Sequence, residues 1–148
     1  MGLQKLDVTT HTTADPGTVF ALLRDGSTWP KWSNIDEFTL EEQGDGEPEG
    51  VGALRKFRNG RITGWDRTRE LITDRRFGYD HVRGLPVKGY QGTVDIEPDG
   101  ERTKIHWVCT FRPRIPGTGW FWQRVLQKFL RDNVEGLAAY AAKQSTVD

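Results

Sequence analysis

A single cysteine, Cys109, stands in the 148-residue sequence, which excludes an internal disulfide and a cysteine-rich zinc site. Histidine is scarce too: His11, His81 and His106 are dispersed and lack ligand spacing, so no metal and no resident cofactor are expected. No apolar run approaches the ~18 residues of a membrane span, so no stable membrane insertion is expected. Met1-Gly2-Leu3-Gln4-Lys5 lacks the apolar stretch of a signal peptide, and Leu6 stands where a myristoylation pattern needs Ser or Thr. Net charge is missing as well. The 21 Lys+Arg balance 21 Asp+Glu, which removes the global basic field of a nucleic-acid binder. Gly117-Thr118-Gly119 has no following Lys and is not a phosphate loop. These absences lead to the expectation of one cytoplasmic domain over 1–148 with no nucleic-acid partner. The sequence carries no signal for oligomeric state.

Aromatics, by contrast, are plentiful: sixteen, six of them Trp, which argues against disorder. Leu6, Val8, Thr10 and Thr12 alternate with polar residues as in a half-buried strand. Asp15-Pro16 then offers an N-cap and a first-turn proline to a short helix carrying Val19, Phe20, Leu22 and Leu23, which Asp25-Gly26-Ser27 breaks. A second helical turn fits Trp29-Pro30-Lys31-Trp32. Period-2 runs follow at Ile35–Glu42, Val51–Arg58, Arg61–Ile72, Phe77–Arg83, Val87–Glu97 and Thr103–Arg112, joined by short loops that make neighbours antiparallel. Asn59-Gly60 reads as a tight hairpin turn. After Thr118, read as the N-cap residue, Trp122, Val125, Leu126, Phe129, Val134, Leu137 and Tyr140 recur mostly at steps of three and four, an amphipathic helix over Gly119–Lys143. The order is α+β: a seven-stranded curved antiparallel sheet around a long C-terminal helix, with two short helices between strands 1 and 2.

Several stretches carry a family resemblance: Ala14-Asp15-Pro16 before Val19-Phe20, the Trp29-Pro30-Lys31-Trp32-Ser33 corner, and Val51-Gly52-Ala53-Leu54-Arg55. Gly84-Leu85-Pro86-Val87, Tyr90 and the run from Phe111 through Pro113, Pro116 and Gly119 to Trp120 extend it over essentially the whole chain. The chain resembles the START-like (SRPBCC) superfamily in its bacterial polyketide cyclase/dehydrase type. The resemblance implies a helix-grip fold with a cavity between sheet and helix. It implies no shared catalytic set, because that scaffold hosts cyclases, lipid carriers, receptors and chaperone activators.

Strand parity nominates the residues facing such a cavity. With Asn59-Gly60 as the turn, Phe57 faces Ile62, Arg55 faces Gly64 and Ala53 faces Asp66, so Arg55, Asp66, Thr68 and Glu70 share the inner face of Phe57 and Ile72. Tyr79, His81 and Arg83 follow Phe77; Tyr90 and Gly92 follow Val94; Ile105, Trp107, Cys109 and Phe111 complete the wall. His81 is expected beside Tyr90 and Thr68, and Gly92 opposite Trp107. Cys109 reads as a small buried hydrophobe. His11 and His106 fall on the outer face. Eight Lys/Arg from Arg55 to Arg76 read as a solvated sheet face balanced by the acidic stretch Asp36–Glu49. Ile115–Trp120 reads either as a membrane-touching or lid element or as a helix start packed on the sheet edge.

Two accounts of the inner polar groups stand. They are satisfied pairs near a wet rim, Arg55 with Asp66 and Glu70 with the Tyr79 hydroxyl, or they orient the polar part of a mostly apolar ligand. The ligand-facing set is Arg55, Phe57, Glu70, Tyr79, His81, Tyr90 and Trp107 from the sheet, with Phe129 and Asn133 from the helix. An amide at Asn133 on an apolar face needs a polar partner, a water or a ligand. The expected function is binding of a small hydrophobic ligand, aromatic polyketide-like or lipid-like. The alternatives are a cyclase or dehydratase using His81, Tyr90 and Glu70 as acid–base groups, and a protein-interaction module using the outer sheet face.

Overall fold

Alternation and turn chemistry produce the expected order. The computed structural model describes residues 2–146. It contains β1 (Gln4–Thr12), α1 (Pro16–Arg24), a 3-10 turn (Gly26–Thr28), α2 (Trp29–Trp32), β2 (Glu37–Glu42), β3 (Leu54–Asn59), β4 (Ile62–Ile72), β5 (Arg76–Arg83), β6 (Val87–Asp99), β7 (Arg102–Pro113) and α3 (Gly119–Thr146). The strands form one antiparallel sheet in the order β1-β7-β6-β5-β4-β3-β2. The sheet curves around α3, and α1 with α2 carries the chain from one sheet edge, β1, to the other, β2. This is the α+β helix-grip fold.

Local chemistry explains the element ends. The Asp15 carboxylate accepts from Thr18 N at 2.7 Å, capping α1, and that bond holds the acid below the usual carboxylate range. Before α3, the Thr118 carbonyl takes the Phe121 and Trp122 amides, while its hydroxyl donates to the Ile115 carbonyl at 2.6 Å. Thr118 thus caps through its backbone rather than its side chain. Down its length α3 buries Leu126, Leu130, Val134, Leu137, Ala138 and Ala141. Two polar contacts pin it to β1: Thr12 Oγ1 donates to the Ala138 carbonyl at 2.8 Å, and the Gln127 amide bonds both backbone groups of Asp7. Gly136 lies so close to α2 that a side-chain methyl would overlap the Trp32 carbonyl oxygen.

Register departs from expectation at several places. The first hairpin turns at Gly60-Arg61, since Asn59 pairs with Ile62 and Phe57 with Gly64. Gly60 has φ +61°, whereas Arg61 has no positive φ, so a glycine at the first central position sets the turn. The slip is two residues along the ladder, which preserves which side chains face inward. The second departure is a bulge between Thr68 and Glu70: Thr68 pairs with Tyr79 but Glu70 with Gly78. Beyond the bulge the faces exchange. Leu71 joins the core, Ile72 is exposed, and Glu70 turns outward to lie 3.7 Å from Arg76. The extra residue, Arg69, sends its guanidinium across the outer face to the Tyr79 and Gly92 carbonyls and Asp80, over Gly78, where any side chain would collide with it. The third concerns β6: Gly92 pairs with Cys109 and Trp107 with Val94. The space above Gly92 is filled by the Tyr79 ring.

The outer face is an ion-pair lattice. Lys56 pairs with Glu41, Arg58 with Glu37, Arg67 with Glu42, Arg69 with Asp80 and Arg76 with Asp95. Most cations between Arg55 and Arg76 are therefore matched, largely by the expected acidic stretch. His11 bonds Asp99 and His106 bonds Asp7, both outside.

Candidate ligand cavity

Between the sheet and the first half of α3 lies a cavity of about 180 Å³. Its sheet wall is Phe57, Tyr79, Tyr90 and Trp107; its helix wall is Trp122, Leu126, Phe129 and Asn133; Trp29 closes it from α2. Strand alternation delivers the aromatic wall, because every second residue of β3, β5, β6 and β7 points the same way. Exposed Ile62 and Val125 also line it and mark an opening between the β3–β4 hairpin and α3.

One corner is polar. The Leu85 amide donates to His81 Nε2 at 3.1 Å, so that nitrogen carries the lone pair and the ring proton sits on Nδ1. Nδ1 in turn meets Asp66 Oδ1 at 2.8 Å. The imidazole is thus held at both ends, by a carboxylate from the facing strand and by the turn joining β5 to β6. Tyr90 lies edge-on to it, 5.9 Å between ring centres. Asp66, and not Thr68, is the residue opposite His81.

Beneath the floor runs a second polar chain. Trp107 Nε1 donates to the Tyr79 hydroxyl at 3.2 Å, which lies 3.6 Å from Cys109 Sγ. Burial holds both Tyr79 and Tyr90 well above the usual phenol value, and pushes the Cys109 thiol up to about 11. All three stay protonated at neutral pH, and Cys109 behaves as a buried hydrophobe.

Phe57, Tyr79, His81, Tyr90, Trp107, Phe129 and Asn133 are thus brought together. Glu70 is not, because the bulge turns it outward, and its pairing with the Tyr79 hydroxyl does not form. Arg55 faces inward but lies behind the wall. Its guanidinium carbon sits 5.2 Å from the Trp29 ring centre, 5.1 Å from Phe57 and 5.2 Å from Phe77, with Nη2 donating to the Leu23 carbonyl at 3.2 Å. Its ion-pair partner is Glu49 at 3.4 Å; Asp66, across the ladder, is engaged by His81. Burial lowers the Arg55 guanidinium well below its ordinary value, to about 10, against the opposing pull of Glu49. Asn133 finds its partner: Oδ1 accepts from Asn34 N at 3.1 Å, tying α3 to the chain after α2. Sequence reasoning placed Asp66 on the inner face without counting it in the site, and it missed Leu85. A turn residue contacting a ring through its own backbone amide leaves no side-chain signal.

The family model for polyketide cyclase/dehydrase and lipid transport matches residues 4–142. The chain belongs to that family. No curated protein matches it. Among solved structures it is similar to a START superfamily protein from Mycobacterium smegmatis, at TM-score 0.82 and 12% identity over 95% of this chain and 99% of that one. The protein XoxI from Bacillus cereus gives TM-score 0.77 and 18% identity over 96% and 98%. Ara h 8.0201 gives 0.75 and 17% over 96% and 99%. At these identities the likeness is one of fold, the START-like scaffold.

Proposed function

We propose that the protein binds a small aromatic ligand bearing a hydrogen-bond donor, and that it acts as a carrier or receptor rather than a catalyst. The observation that carries this is the cavity's composition: an aromatic enclosure with one acceptor corner at Asp66. An apolar cavity of about 150 Å³ encloses benzene, so a space of about 180 Å³ suits one or two rings, and a longer chain would leave through the opening at Ile62 and Val125. Acid–base chemistry would need a ring nitrogen open to the ligand, and both nitrogens of His81 are engaged. Glu70 lies on the other face of the sheet.

Calorimetric titration with 2-naphthol and with 2-methoxynaphthalene tests the proposal, alongside native mass spectrometry of freshly purified protein for a retained ligand. The naphthol should bind at least tenfold more tightly, since only it can donate to Asp66, and Asp66→Asn should narrow the difference. Phe129→Ala should weaken both ligands severalfold, whereas His106→Ala on the outer face should change neither. Turnover of a polyketide-type substrate, or binding lost in the His106 variant and kept in the Phe129 variant, would overturn the assignment.

A further inference from the structure

Charge and apolar exposure are both distributed unevenly. Between Arg102 and Arg131 there are seven Lys/Arg and no Asp/Glu, although the whole chain is neutral. Of the nine large hydrophobics most exposed among the described residues, six (Leu3, Ile62, Ile115, Trp120, Phe121 and Val125) gather at one end of the molecule. That end is formed by the start of β1, the β3–β4 hairpin, the β7–α3 loop and the first turns of α3. It is also where the cavity opens, because Ile62 and Val125 both line the cavity and face solvent.

The basic residues at this end are unlike those on the sheet face. Lys88 and Arg112 stand directly opposite each other on β6 and β7, an arrangement that costs stability by repulsion. Neither they nor Arg114 and Arg124 have a carboxylate partner among the described residues, whereas five of the cations between Lys56 and Arg76 do. Unmatched cations around exposed Trp and Phe form a pattern suited to a negatively charged interface with an apolar interior. Indole and phenyl rings settle at the headgroup level of a bilayer, and each Lys or Arg near an anionic leaflet raises partitioning about fivefold.

We infer that this end docks reversibly on an anionic lipid bilayer, with Trp120, Phe121 and Ile115 entering the headgroup region and Lys88, Arg112, Arg114 and Arg124 meeting lipid phosphates and carboxylates. Docking is peripheral, for no described helix is long and apolar enough to cross a membrane. It sets the cavity opening against the lipid, the phase in which an apolar ligand is most soluble. A nucleic acid would satisfy the cations but not Ile62, Ile115 and Leu3, which are aliphatic and offer no stacking surface.

The test is co-sedimentation of the full chain with vesicles of phosphatidylcholine alone and of phosphatidylcholine with about 30% phosphatidylserine. The docking inference does not depend on the ligand assignment, because no ligand is present in the assay. Binding should require phosphatidylserine and fall at least tenfold in Arg112→Glu/Arg114→Glu and in Trp120→Ala/Phe121→Ala. It should weaken as salt rises and stay unchanged in Ile72→Ala and Arg75→Glu at the opposite end of the sheet. Circular dichroism verifies that the variants fold. No binding to either vesicle at low salt, binding indifferent to both double variants, or binding to single-stranded DNA in place of vesicles would each overturn the inference.

Discussion

Arg55, Cys109 and Tyr79 show how one inner face assigns three different roles. Arg55 is a buried charge held by rings, a carbonyl and one carboxylate, and its Nε has no hydrogen bond among the described residues. Removing the partner of a buried charge is worse than removing the charge itself. Glu49→Ala is therefore expected to cost about 3 kcal/mol and Arg55→Met about 1 kcal/mol or less, read from urea unfolding midpoints. Cys109 makes an alkaline prediction. Its thiol moves from 9.0 unfolded to about 11 folded, so between those values the unfolded chain has lost the proton that the folded chain keeps. Stability from this group is full below pH 9 and falls as pH rises toward 11, by about 2–3 kcal/mol. Tyr79 and Tyr90 act in the same direction. Arg55 acts in the opposite one, since its folded form sheds a proton from about pH 10, before the unfolded form does. Between about pH 8.5 and about pH 10.5, Cys109→Ala should lose stability less steeply than the native chain; equal slopes would mean that the thiol ionises freely in the fold.

At the scale of elements, the grip depends on close approach between α3 and the short helix α2. Alanine at a helix interior is favoured over glycine by about 1 kcal/mol. At position 136 that preference should reverse, since the methyl would meet the Trp32 carbonyl and force the two helices apart. Gly136→Ala is expected to destabilise by about 1–3 kcal/mol and to lower the melting temperature by several degrees. A raised melting temperature would show that α2 does not rest on α3 at this point. The turn between β5 and β6 offers a second case, because it is latched by the Leu85 amide on His81. His81→Leu would leave that amide without its acceptor, so hydrogen exchange at Leu85 should accelerate by at least tenfold while β6 and β7 remain protected.

For the whole molecule, the last element completes the core. Leu126, Leu130, Val134 and Leu137 of α3 cover the same sheet face that carries Trp107, Phe111 and Ile105. A chain ending at Thr118 would expose that aromatic face along its length. It should show no cooperative thermal transition and should bind a hydrophobic dye strongly. Cooperative unfolding of the truncated chain would mean that the sheet is stable without its grip.

The strands, the capped helix at Asp15 and the long helix from Gly119 were legible in the sequence because they follow from local rules: alternation, a cap and proline pair, and a 3.6-residue period. The same rules brought Phe57, Tyr79, His81, Tyr90 and Trp107 to one face, and the two-residue slip at the first hairpin left that parity intact. Resemblance supplied the rest of the fold by analogy. What alternation cannot register is a bulge, since one extra residue at Arg69 leaves the apolar pattern readable while exchanging the faces beyond it. Only the tertiary structure turned Glu70 outward, placed Arg55 behind the wall, matched Asp66 to His81 and set the Leu85 amide on the ring. Those outcomes depend on which strand lies beside which and at what register, and on backbone groups whose partners are distant in the chain.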